Sequence, residues 1–139
     1  MKKIILILAI STLILSCTTG SESKNNLASN QSTTATNPLS GLWKLSNISG
    51  GIAGVNQNFN STDFTLNFDT TTKTVAVVSN ISNPNLSLST GTYAYTTEIV
   101  SGQSIIIING NYRKRIAINV NLLLDDNVLD DGFFYKYVR

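Results

Sequence analysis

Residues 64–79 read FTLNFDTTTKTVAVVS. Side chains alternate faces along an extended chain, so Phe64, Leu66 and Phe68 share one side of a strand, and Thr65 and Asn67 share the other. Asp69 to Lys73 supply turn residues, and Thr74 to Ser79 resume as a run rich in β-branched side chains. Two short strands about a tight turn form an antiparallel hairpin, and its apolar side needs a covering layer.

The same pattern extends outward in both directions. LWKLSNI (42–48) sets Trp43, Leu45 and Asn47 against Leu42, Lys44 and Ser46. GTYAYTTEIV (91–100), SIIIING (104–110), KRIAINVNLLL (114–124) and GFFYKYVR (132–139) add four more short runs bounded by Gly, Asn and Asp. No segment from Leu39 onward carries a helical period. The expected fold is all-β: a small antiparallel up-and-down barrel, or a closed sandwich, of seven or eight strands over residues 39–139. The longest connection, SGGIAGVNQNFNST (49–62), is expected to be a loop or an irregular extra strand that covers the core through Ile52, Val55 and Phe59.

Gly41-Leu42-Trp43 opens the first strand and Arg139 ends the last. A G-x-W motif at the start of an antiparallel barrel resembles the lipocalin-like families. That resemblance implies a tryptophan closing one barrel end under a late basic residue, here Trp43 and Arg139. FDTTTKTVAVV followed by GTYAYTTE also resembles the META-type domain of bacterial envelope lipoproteins. SNISNPNLSLS stands where that family has a Gly-Cys-Asn segment, so no site residue carries over. Strands of about six residues make a barrel roughly 15 Å tall. Phe64, Leu66, Phe68, Tyr93, Tyr95, Tyr135 and Tyr137 are the candidates to fill its interior or to line a shallow apolar site.

The chain begins MKKIILILAISTLILSC. Lys2 and Lys3, the apolar run Ile4 to Leu15 and the small Ser16 have the layout of a secretory signal. As a helix the run would rise only about 18 Å, short of the roughly 30 Å hydrocarbon core. Ile14, Leu15, Ser16 and Cys17 resemble the bacterial lipobox. The resemblance implies cleavage between Ser16 and Cys17, a diacylglycerol on the Cys17 sulfur and a lipid-anchored protein of the cell envelope. Thr18 is not the aspartate that retains such proteins at the inner membrane, so the outer membrane is the expected destination. Residues 1–16 are then signal peptide. Residues 17–38, poor in large apolar side chains, are the lipidated cysteine and a disordered tether of roughly 25 Å root-mean-square span.

Processing changes the charge balance. The formal net charge is +2 from ten basic and eight acidic residues, and Lys2 and Lys3 leave with the signal. A near-neutral mature chain gives no reason to expect nucleic-acid binding. Histidine is absent and the one cysteine is taken, which excludes Ser-His-Asp and Cys-His catalysis and zinc sites built on those ligands. No cofactor or metal is expected. The acidic run Asp125, Asp126, Asp130 and Asp131 lacks a calcium-loop spacing and reads as a hairpin connection relieved at Gly132. Arg113, Lys114 and Arg115 read as charges protecting a strand edge. Ile105 to Ile108 must send two side chains outward, and beside Leu122, Leu123 and Leu124 they form a candidate apolar strip for a protein partner. The functional expectation is a non-enzymatic binding or interaction module, with a small apolar ligand as one candidate. The alternatives are a structural or stress-related envelope lipoprotein with a filled core, and a His-free hydrolase.

Overall fold

The computed structural model describes residues 36–126 and 131–139. The expected signal peptide, Cys17, residues 18–35 of the expected tether, and Asp130 lie outside them. Nine strands follow one another: β1 (Gly41–Gly50), β2 (Val55–Asn58), β3 (Phe64–Asp69), β4 (Thr74–Ser79), β5 (Gly91–Val100), β6 (Gln103–Ile108), β7 (Tyr112–Ile118), β8 (Leu122–Asp125) and β9 (Phe133–Val138). They form one antiparallel sheet in the order β2-β1-β3-β4-β5-β6-β7-β8-β9, and β1 also pairs with β9. The fold is therefore all-β, an eight-stranded closed barrel with one extra strand. Closure leaves the barrel strands without free edges, the usual liability of a sheet.

The extra strand comes from the glycine-rich connection. β3 pairs with β1 only over Gly41–Lys44, and β2 occupies the remaining length of that edge opposite Asn47–Gly50. Gly50, at φ 107°, makes the sharp exit from β1; a Cβ there would sit 2.3 Å from the Gly132 carbonyl oxygen at the entry to β9.

β1 departs from strict alternation. Its register against β9 shifts between Leu45 and Asn47, a bulge that leaves Ser46 unpaired with its hydroxyl donating to the Lys136 carbonyl at 3.0 Å. The bulge turns Ile48 inward with Trp43 and Leu45, where simple period two would place Asn47. Asn47 instead donates from its amide to the side-chain oxygens of Asn56 and Asn58 on β2, both at 2.9 Å.

Most of the barrel interior is packed. Phe64, Leu66 and Phe68 from β3, Val75 and Val77 from β4, Ile106 and Ile108 from β6, Leu122 and Leu124 from β8, and Tyr135 and Tyr137 from β9 converge on Trp43, Leu45 and Ile48. Phe68 meets Tyr95 edge-on at 5.2 Å, and Phe64 meets Tyr137 at 6.5 Å.

Candidate functional site

In an up-and-down meander alternate hairpins share an end. The start of β1, the β3–β4, β5–β6 and β7–β8 turns and the end of β9 thus lie at one mouth of the barrel. Residues 37–40 cross that mouth as a turn. The Ser40 amide donates to the Asn37 carbonyl at 2.9 Å, and the Leu39 amide donates to Asn37 Oδ1 at 3.0 Å. Two long side chains hold the turn down. Trp43 Nε1 donates to the Leu39 carbonyl at 2.9 Å, and Arg139 Nη2 donates to the Pro38 carbonyl at 2.6 Å. The Arg139 guanidinium carbon also lies 4.4 Å from the Trp43 ring centroid, a cation–π contact. Trp43 is wholly buried and Leu39 nearly so.

Beside this turn the lumen is not filled. A cavity of about 480 Å³ lies between Leu39, Tyr95, Thr97 and Ile99 of β5, Ser104 of β6, and Ile116 and Ile118 of β7, with Asn37, Lys73 and Glu98 at its rim. Its size falls in the range of small-molecule sites, and its walls are mainly apolar. The notable group is Tyr95. It is 3% exposed, and its hydroxyl is buried with no hydrogen-bond partner among the described residues. Burial, then the nearby Asp69 charge, raises its pKa, so the group stays protonated at neutral pH. Lys73 Nζ stands 5.8 Å from the ring centroid. A buried hydroxyl without a partner costs stability unless something else meets it.

The other aromatic candidates go elsewhere. Phe64, Leu66, Phe68, Tyr135 and Tyr137 are core residues, and Tyr93 is half-buried, donating its hydroxyl to the Ser89 carbonyl at 3.0 Å. Of the seven, Tyr95 alone lines the mouth cavity.

Arg113, Lys114 and Arg115 do not form an edge cluster, because β7 is paired on both sides, with β6 and with β8. Alternation separates them. Arg113 and Arg115 point outward to Glu98 at 2.5 Å and Asp125 at 2.8 Å. Lys114 points into the barrel, where it is 8% exposed and ion-paired with Asp126. Its ammonium also lies 4.8 Å and 4.7 Å from the ring centroids of Tyr112 and Tyr135. Asp126 accepts a further hydrogen bond, from the Phe133 amide at 2.8 Å. Burial pushes Lys114 down to about 8 against the opposing pull of Asp125. Burial likewise raises Tyr112, Tyr135 and Tyr137. Sequence reasoning missed this interior pair; period two counted along β7 from Ile116 and Ile118 places Lys114 on their side.

Alternation also splits the acidic run, since Asp125 and Asp126 serve cations on opposite faces of the wall. Among the described residues no three His, Cys, Asp or Glu side chains converge as a metal-binding group. The expected apolar strip is not exposed either. Ile106 and Ile108 are core, Ile105 is 3% exposed and Ile107 is half-buried. In register Ile105 lies between Glu98 and Arg115, and Ile107 lies opposite Arg113, so ion-paired side chains flank the outward pair. Leu122 and Leu124 face inward, leaving Leu123 as the exposed leucine of β8.

Comparison of the chain with known protein families, with curated proteins and with solved structures finds no match.

Proposed function

We propose that the chain is a lipid-anchored lipoprotein of the bacterial envelope whose barrel is a non-enzymatic binding module. Its mouth cavity takes a small, mainly apolar molecule that carries one polar group. The observation that supports this reading most is the pairing of an apolar cavity of about 480 Å³ with the orphaned Tyr95 hydroxyl. A ligand with an apolar body against Leu39, Ile116 and Ile118 would cover the walls, and a shift of the side chains that seal the Tyr95 hydroxyl would let its polar head reach that group. The anchoring half of the proposal rests on the lipobox-like Ile14 to Cys17, and two acyl chains suffice for stable attachment.

Two measurements test the two halves. The mass of the protein taken from membranes reads the acyl groups on Cys17 and any copurifying small molecule. An unmodified thiol overturns the anchor. Titration with a fluorescent fatty acid tests the cavity. Tyr95→Phe is expected to weaken that binding by about five- to tenfold, the scale of one hydrogen bond, and to raise the stability of the unliganded fold by about 1 kcal/mol. Equal affinity in both forms overturns the assignment of Tyr95.

One observation favours a second reading, an enzyme without histidine. Lys114, partly neutral near pH 8, adjoins a smaller polar cavity lined by Tyr93, Asn109, Asn111 and Tyr112. Its ammonium is already held by Asp126 and two ring faces, which places this reading second. Borohydride trapping of an added aldehyde on Lys114, faster than on Lys136, would revive it.

A further inference from the structure

The mouth of the barrel carries a second feature, of which the cavity uses only Ile99. Ile99 and Val100 end β5 and are 77% and 42% exposed, and Val120, in the β7–β8 turn, is 86% exposed. Both turns lie at the mouth end. Their other residues are small or uncharged: Ser101 and Gly102 in one, Asn119 and Asn121 in the other. Bulky aliphatic side chains at hairpin tips contribute nothing to this core and are costly in water.

What covers them is indicated by where the rest of the chain attaches. In the processed chain residues 17–35, with Cys17 at their head, join the barrel at Thr36 and Asn37, on the rim of the same mouth. The charges at this end are nearly balanced. Lys73 and Arg139 stand against Asp69, and Glu98 is taken by Arg113. Such a surface has no strong call on anionic headgroups.

We propose that the mouth end docks on a phospholipid bilayer, with Ile99, Val100 and Val120 set among the headgroups and upper acyl chains, so that the cavity at Tyr95 opens against the membrane and is loaded from it. This rests on reading the chain as an anchored binding module, and it adds an orientation and a source of ligand. Because the end is near neutral, docking is insensitive to salt and needs no anionic lipid. A ligand reaching the cavity this way is amphipathic and lipid-derived: an acyl chain with a polar head that Tyr95 can meet.

The test uses the full chain purified from membranes and placed in phosphatidylcholine vesicles. Val120→Cys and, at the opposite end, the 88% exposed Ile52→Cys each carry a fluorophore, with the labelled cysteine identified by peptide mass. Nitroxide placed high on the lipid acyl chains is expected to quench the Val120 label several-fold more than the Ile52 label, equally in low and high salt. Adding Val100→Asp, at an exposed site outside the cavity wall, is expected to reduce that quenching with the melting temperature unchanged. Flotation with the vesicles but equal quenching at the two ends overturns the docking and leaves the anchor standing. Preferential quenching of Val120 in a chain whose Cys17 carries no acyl group supports the docking and overturns the anchor. Fluorophore pairing between Val120 labels without lipid quenching assigns the tips to a second copy and overturns the proposal.

Discussion

Trp43 ties the core, the turn at residues 37–40 and the last residue together. Its ring packs into the core at the mouth end, its indole N–H holds the turn at residues 37–40, and its face carries Arg139. Trp43→Ala is therefore expected to lower stability by about 3–5 kcal/mol through the cavity it leaves, read as a fall in melting temperature. Arg139→Ala removes only the exposed partner, and its expected cost is about 1 kcal/mol. Lys114 gives a different signature, in pH. Its folded pKa of about 8 lies below the ordinary 10.5, so the unfolded chain binds this proton more tightly. The group's contribution to stability therefore rises with pH from about 8 towards 10.5, and is lost as pH falls through about 8. Tyr112, Tyr135 and Tyr137 act in the opposite sense. Their raised pKa values keep them neutral in the fold while unfolded tyrosines ionise above about 10, so stability falls there. The melting temperature should pass through a maximum between about pH 9 and 10. In Lys114→Met the rise towards that maximum should be absent.

At the scale of elements, β1 shows how a single residue sets a register. Ser46 bulges out, and this is what lets Trp43, Leu45 and Ile48 all face the core. Deleting Ser46 would remove the bulge and leave Trp43, Leu45 and Ile48 at alternate positions, all still facing the core. We expect this deletion to keep a cooperative unfolding transition, whereas inserting one residue between Asn47 and Ile48, which turns Ile48 outward, should lower the melting temperature far more. Ser46→Ala, which keeps the bulge and loses one hydrogen bond to Lys136, should cost only about 1 kcal/mol. The hairpin quoted at the start of the sequence analysis behaves more simply. Every inward position of β3 and β4 but Ser79, at the end of β4, is apolar, and Asp69 Oδ1 accepts from the Thr71 and Thr72 amides at 2.8 and 3.0 Å to shape the turn. These hydrogen bonds lower the pKa of Asp69.

At the scale of the whole molecule, closure joins the two ends of the domain, pairing Lys44 with Val138 and Gly50 with Phe133. Contacts so distant in sequence slow folding, and refolding is expected on a time scale of roughly milliseconds to seconds. Because Trp43 is the only tryptophan and meets the last residue, its fluorescence should change in the same phase as the far-ultraviolet circular dichroism. A separate, earlier fluorescence phase would show that the core forms before the barrel closes. Much of this architecture was legible in the chain. Period two from residue 42 onward, interrupted by turn residues, determined an all-β antiparallel fold, because alternation and turn chemistry are local properties. The inward set of β3 followed from that alone. The bulge at Ser46, the inward lysine beside Asp126 and the unfilled lumen at Tyr95 were decided only in three dimensions. Each depends on which strands become neighbours and how far each reaches along the barrel. A polar residue's partner, or its lack of one, is set by neighbours remote in sequence, which no local pattern encodes.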